Sequence, residues 1–342
     1  MSRLKTYFRP FYSETPPILN EDGTEKPNSI ASMEFVKLGG IDQWIIIRSH
    51  NLNNPLLLLL HGGPGTTESP LAYKFQRELE KYFIVVNWDQ RGGGKSYSKK
   101  IPRESMNVEQ FVSDTYDLIL FLKKRLNKEK IYLVGHSWGS MLGILMTQRY
   151  PELFYAYIGV GQVVNLIDNE IFSFQFILEE AKKRENKKAL KQLQKIRPYT
   201  GENLKHLKIQ RRWLRKFGGV LHNETSMWPL LKIGICSPEY KLRDFIKYIR
   251  GTTYSLKNLW NQLFSINFFK DVKEFKIPIY FFIGRYDYNV PFELSERFFK
   301  QLKAPLKKFI WFENSAHCPN FEESEKFQNL LINEVLPETY IK

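Results

Sequence analysis

Hydrophobic residues recur along this chain in short apolar runs separated by helix-length stretches, and that alternation predicts most of its elements. Residues 32–38 and 42–48 (the second reading "DQWIIIR") are expected to be two strands joined at Gly39-Gly40 as a hairpin. "PLLLLL" (55–60) is a continuous apolar run of the kind that suits a strand buried on both faces. A helix is expected over 70–82, a strand over "YFIVVNWD" (82–89), and a loop at "QRGGGKS". Residues 107–126 read as a helix with Asn107 in the N-cap position. "KIYLVG" (130–135) reads as a strand, Ser137 as the turn into a helix running to about Tyr150, and "YAYIGVG" (155–161) as the next strand. Strands alternating with helices predict a mostly parallel α/β sheet.

The rhythm changes after Gly161. Residues 162–272 have helical periodicity and many charges, with apolar residues at 171, 174, 177, 178 and 181 on one expected helical face. Strand-like runs resume at "IPIYFFIG" (277–284) and "KKFIWFE" (307–313). The organisation expected is an N-terminal arm over 1–30, a core made of 31–161 and 273–342, and a helical insertion over 162–272. A length of 342 residues fits this, because single cores stop growing at roughly 250–300 residues.

Charge sharpens the division. The net charge is +15, and residues 162–272 hold +11 of it, from 21 Lys/Arg against 10 Asp/Glu. With no zinc-finger or RRM signature, this reads as a solvated, lysine-rich helical surface and not as a nucleic-acid interface. No run of about 18 apolar residues occurs, so no transmembrane helix and no membrane partner is expected. The N-terminal stretch lacks the apolar segment of a secretory signal. Two distant cysteines, Cys236 and Cys318, suggest neither a disulfide framework nor a zinc site, and a cytoplasmic location is the expectation.

The candidate chemistry lies at strand ends. Gly135-His136-Ser137-Trp138-Gly139 fits G-x-S-x-G between an apolar strand and a plausible helix, the context of a turn that exposes a nucleophilic hydroxyl. Such a serine needs a base and oxyanion donors. Among six histidines, His317 stands four residues past "KKFIWFE" in the loop "NSAHCPNFE", while Asp287 lies three past "IPIYFFIG". Asp271 and Asp244 compete with Asp287, but neither ends a strand. The order Ser–Asp–His suits this architecture, with the aspartate holding the imidazole tautomer. Trp138 N–H and the loop His61-Gly62-Gly63-Pro64-Gly65 are positioned to supply the oxyanion donors. Cys318, beside His317, lacks the strand–turn–helix context of a nucleophile.

Three motifs together, "HGGPG" at 61–65, "DQRGGGKS" at 89–96 and "GHSWGS" at 135–140, resemble the proline iminopeptidase group of α/β-hydrolases. The resemblance covers roughly 40–161 and 273–335. It implies an α/β-hydrolase fold, a Ser137–Asp287–His317 triad, and oxyanion donors at Gly63 and Trp138 with Gly62 alongside. It also implies a helical cap at 162–272, a small-molecule or short-peptide substrate, and no metal or organic cofactor. The family holds its substrate's ammonium with cap carboxylates, one of them in W-x-x-W-E. Here "RRWLRKFGG" has Phe217 where that glutamate would fall. Glu239 in "CSPEY" is then the leading candidate, ahead of Glu170, Glu179, Glu180 and Glu224. Glu68 either faces the site or caps the helix near Pro70. Trp213 and other cap aromatics are expected to line an apolar pocket in part. The activity expected is that of a serine hydrolase, an aminopeptidase releasing N-terminal proline, with an esterase or amidase on small apolar acyl substrates as the alternative.

Overall fold

A computed structural model describes residues 13–222 and 226–340. Its centre is an eight-stranded sheet: β1 (Ile30–Leu38), β2 (Ile41–Ser49), β3 (Leu56–Leu60), β4 (Ile84–Asp89), β5 (Ile131–His136), β6 (Phe154–Val160), β7 (Ile279–Gly284) and β8 (Lys307–Phe312). The spatial order is β1-β2-β4-β3-β5-β6-β7-β8. β2 runs antiparallel to both of its neighbours, and every pair from β4 to β8 is parallel.

The leucine run shows why the sheet forms. Side chains alternate faces along a strand, so Leu56, Leu58 and Leu60 enter one core layer and Leu57 and Leu59 the other. β5 and β7 divide in the same way, with Ile131 and Leu133 opposite Tyr132 and Val134, and Phe281 opposite Tyr280 and Phe282. Each fully buried side chain of this size contributes roughly 1.5–3 kcal/mol. Strands buried on both faces require helices on both faces, and the chain supplies them.

Between the strands lie α1 (Ser69–Phe75), α2 (Val108–Leu126) and α3 (Trp138–Arg149). The Asn107 side chain accepts the Gln110 N–H at 2.9 Å and so caps α2. The expected helix over 70–82 is shorter. It ends at Phe75 and is followed by a single 3₁₀ turn over Leu79–Lys81. The break is driven by polar side chains turned inward: Gln76 accepts from Asn87 Nδ2 at 2.8 Å, and Glu80 meets Arg48 and Arg77.

The stretch between β6 and β7 is helical: α4 (Leu166–Lys183), α5 (Lys187–Gln194), α6 (Leu204–Lys216), α7 (Trp228–Ile235), α8 (Leu242–Leu259) and the one-turn α9 (Phe268–Asp271). Phe174, Ile177, Ala181, Leu193, Trp213 and Phe217 form a separate core for it. The expected apolar face of α4 is narrower than the sequence suggests, since Ile171 points to solvent and Leu178 is only half-buried. After β7 come α10 (Phe292–Gln301) and, past β8, α11 (Pro319–Glu322) and α12 (Ser324–Leu330). The expected arm over 1–30 falls partly outside the described residues. From Ser13 onward it lies against the body, with Arg48 Nη1 donating to Pro16 O at 2.6 Å and Lys95 Nζ to Ser13 Oγ at 3.2 Å.

Candidate active site

Ser137 sits where β5 turns into α3, with φ +54° and ψ −118°. A non-glycine residue adopts positive φ only where its surroundings enforce it, and such strain gathers at functional sites. Here the enforcement is close packing. A Cβ on Gly139 would collide with the Leu60 carbonyl, and one on Gly135 with the Gly139 carbonyl. The Ser137 N–H donates to Val160 O at 2.9 Å. Ser137 alone among residues 131–140 is not buried, and its hydroxyl has no hydrogen-bond partner among the described residues. Hydrogen bonds of this kind commonly tighten only when substrate binds.

Asp287 and His317 meet where the loops after β7 and β8 come together. The loops after β7 and β8 approach closely because Gly284 has no Cβ; one would collide with the Ala316 carbonyl. Asp287 is fully buried, accepting the Val290 N–H at 2.8 Å on Oδ1 and His317 Nδ1–H at 2.9 Å on Oδ2. The His317 N–H donates to Val220 O at 3.0 Å. Gly161, at φ +52°, closes the group: a Cβ there would lie 3.0 Å from the His317 ring and 3.3 Å from Asp287 Oδ2. Ser137 is therefore bonded to the residue just before the one against which the Asp287–His317 pair packs. All three predicted residues stand at the C-terminal ends of their strands, where sites form in open α/β sheets.

The glycine loop differs from expectation at one position. Gly62 N–H donates to Glu68 Oε1 at 3.2 Å, which withdraws it from an oxyanion role. Gly63, at φ +124°, and Trp138, at the first position of α3, both line the cavity. Neither backbone N–H has a partner among the described residues, as expected for Trp138 at a helix start.

Glu68 is likewise corrected. It occupies the N-cap position of α1 but makes no side-chain cap bond, and it does not line the cavity. Its carboxylate instead meets His136 Nδ1 at 2.6 Å and accepts from Asn320 Nδ2 at 3.3 Å, while His136 Nε2 reaches His317 O at 2.9 Å. Glu68 thus ties the glycine loop, the serine turn and the histidine loop together. Burial opposes charge on both partners. Even so, the Glu68 carboxylate holds the His136 imidazole well above its ordinary value, and His136 draws Glu68 below its own. Cys318 lies beside His136, and burial pushes its thiol up, which disfavours a thiolate.

Sequence reasoning gave no role to His136, His61 or Gln90. His61 Nε2 accepts the Gln90 N–H at 3.1 Å, and Gln90 Oε1 accepts Trp138 Nε1–H at 2.8 Å. Each belongs to one of the three motifs, so the motifs themselves were the available signal. The loop after β4 is held by the buried Arg91–Asp114 pair at 2.7 Å.

A cavity of about 150 Å³ opens at Ser137, lined in part by the helical stretch between β6 and β7. Leu207, Leu256 and Trp260 line it, and Asn169, Asn289 and Arg211 add polar side chains besides Ser137. Among the described residues no carboxylate lines it. Glu239 is elsewhere: it is buried and paired with Arg77 at 3.1 Å, with Ser237 Oγ donating to it at 3.1 Å. Trp213 belongs to the insertion's own core and donates Nε1–H to Gln192 at 3.0 Å. Both were misplaced for the same reason, since burial against partners distant in sequence outweighs local pattern. Glu170 lies next to the cavity but is spent on Arg211 and Tyr199. Glu180 pairs with Arg184, Glu179 is exposed, and Glu224 lies outside the described residues. Among the described residues, no group of three or more His, Cys, Asp or Glu side chains is placed to hold a metal ion.

The comparisons with known proteins agree with this architecture. The alpha/beta hydrolase fold family matches residues 55–324. The probable aminopeptidase YbaC of Bacillus subtilis is 39% identical over 305 residues, 89% of this chain and 96% of that protein. A proline iminopeptidase of Clostridium botulinum is 24% identical over 294 residues, covering 82% and 89% of the two chains. The crystal structure of a Mycobacterium smegmatis proline iminopeptidase superposes with a TM-score of 0.64 at 17% identity, over 90% of this chain and 99% of that one. With its parallel sheet, its serine turn and a family match over most of its length, the chain belongs to the α/β-hydrolase family.

Proposed function

We propose that the chain is a serine hydrolase working through Ser137, His317 and Asp287, and that it is a cytoplasmic aminopeptidase of the proline iminopeptidase type acting on small peptides. The observation that carries the reading is the Asp287–His317 hydrogen bond together with a strained, cavity-facing Ser137. His317 takes the Ser137 proton as the hydroxyl attacks the acyl carbonyl, and Asp287 stabilises the imidazolium that forms. Gly63 and Trp138 N–H groups hold the oxyanion; losing one such donor typically costs roughly 100- to 1000-fold in rate. His317 then protonates the leaving amine, and a water activated by the same imidazole releases the acyl group.

The aminopeptidase assignment is supported by the relatives' names and by a small, largely apolar cavity lined in part by the insertion, a fit for one prolyl-sized residue. Two unpaired cysteines accord with a reducing compartment. A second reading, an esterase or amidase on small apolar acyl groups, is favoured by the absence of a lining carboxylate among the described residues. One parallel assay separates them: a proline aryl-amide, its N-acylated form and a short-chain aryl ester, with wild type and Ser137→Ala. Cleavage confined to the free-amine substrate supports the aminopeptidase. Ester cleavage without proline release supports the second reading. Equal activity in Ser137→Ala removes both.

A further inference from the structure

The positive charge of the helical insertion is unused by the chemistry above, and its distribution is not random. α8 carries Leu242, Ile246 and Ile249 exposed on one face; Ile249 is 66% exposed. Spacings of four and three keep them in one stripe along the helix. Arg243, Lys247 and Arg250, each one position later, form a parallel exposed basic stripe. α7 repeats the design. Trp228, 61% exposed, lies in line with exposed Leu231 and Ile235, and exposed Lys232 flanks them.

The two helices touch: a Cβ on Gly234 of α7 would lie 3.6 Å from the Phe245 ring of α8. The exposed apolar stripes therefore belong to neighbouring elements. Among the described residues Lys232, Lys247 and Arg250 make no ion pair. The only acids between 227 and 250 are Glu239 and Asp244, both buried and facing cations.

We infer that the outer faces of α7 and α8 form a peripheral docking surface for an anionic lipid bilayer. Exposed Ile, Leu and Trp beside a row of Lys and Arg, with no exposed acid among them, is the composition of interfacial membrane-binding helices. A nucleic-acid surface would use the cations but leaves six large apolar side chains without a role. Such docking needs no spanning segment, and no described helix is long and apolar enough to cross a membrane. The inner side of α8 reaches the active site. Thr252 Oγ1 donates to Gly65 O at 2.9 Å, Ser255 Oγ to Gly92 O at 3.1 Å, and Leu256 lines the cavity. One helix thus presents the docking stripe outward and lines the site inward.

The test is co-sedimentation of the full chain with phosphatidylcholine vesicles, with and without phosphatidylglycerol. Wild type is expected to bind at least tenfold more tightly to the anionic vesicles, and to be released at about 0.5 M salt, where the Debye length falls to a few ångströms. Ile246→Glu/Ile249→Glu and Lys247→Glu/Arg250→Glu should each lose at least tenfold in binding, with unchanged circular dichroism and unchanged hydrolysis of a soluble substrate. Failure of wild type to bind, equal binding to neutral vesicles, or full binding by both variants overturns the proposal. So does sedimentation velocity that shows a dimer broken by Ile246→Glu/Ile249→Glu in a protein that ignores vesicles, since the patch is then a contact between two copies.

Discussion

Glu68→Gln isolates the element that ties three loops together. The substitution keeps the side chain's shape and one acceptor oxygen but removes the charge opposite His136, whose side chain is 8% exposed against 13% for Glu68. A charge-assisted hydrogen bond contributes about 1.5–3 kcal/mol and a neutral one about 1 kcal/mol, so the loss should be about 0.5–2 kcal/mol, or about 1–3 °C in Tm for a chain of this length. Gly62 is the neighbour of a proposed oxyanion donor, and slack there should weaken transition-state binding more than ground-state binding. Loss of about half of one donor's effect lowers kcat about tenfold, with KM within about twofold. The pH dependence follows from the two shifts. His136 is raised in the folded protein, so its contribution is complete below the ordinary imidazole value and is lost as pH rises through the raised one. Glu68 is lowered, so its contribution is present above the ordinary carboxylate value and is lost as pH falls through the lowered one. The Tm gap between wild type and Glu68→Gln should therefore be widest from weakly acidic to neutral pH and shrink on either side. Thermal scans at several pH values and steady-state kinetics on the best substrate of the parallel assay measure both effects. A kcat within twofold of wild type, together with a Tm gap flat in pH, would contradict this role for Glu68.

Asp287→Asn should keep the fold and lower kcat by roughly 1000- to 10,000-fold, because the amide no longer enforces the His317 tautomer; circular dichroism and kcat check it. Gly161→Ala should cost about 1–2 kcal/mol through its φ of +52° and also cut kcat, since the new methyl would press on the His317 ring at 3.0 Å. Its marker is a kcat loss that persists well below the variant's Tm. Glu239→Gln should lower Tm by loosening the contacts of Arg77, Ser237 and Thr15 while leaving KM for a free-amine substrate unchanged. A large rise in KM there would restore Glu239 as the amine's partner.

What the sequence made legible was set by how local each cause is. The strand at Leu56–Leu60 announces itself because five adjacent side chains must all be buried. The serine turn is legible because close packing demands glycine on both sides of Ser137, and the positions of Asp287 and His317 follow from the strands that end just before them. Helix length was not legible at Gln76, where a contact with Asn87 on β4 ends α1. Glu239 reads as a substrate contact, and Glu68 as facing the site or capping α1, because their real partners, Arg77 and His136, lie 162 and 68 positions away. Trp213 followed the same rule, since an aromatic on a charged helix fits a pocket wall and an internal core equally well until the helices around it are placed.

Hydrolysis by the proposed route requires a covalent intermediate on Ser137. Treating the protein with a fluorophosphonate and mapping the adduct by peptide mass spectrometry tests it directly. One adduct per chain is expected on Ser137, with loss of hydrolysis in step with labelling and no adduct in Ser137→Ala. Labelling of another residue, or full hydrolysis by Ser137→Ala, would contradict it.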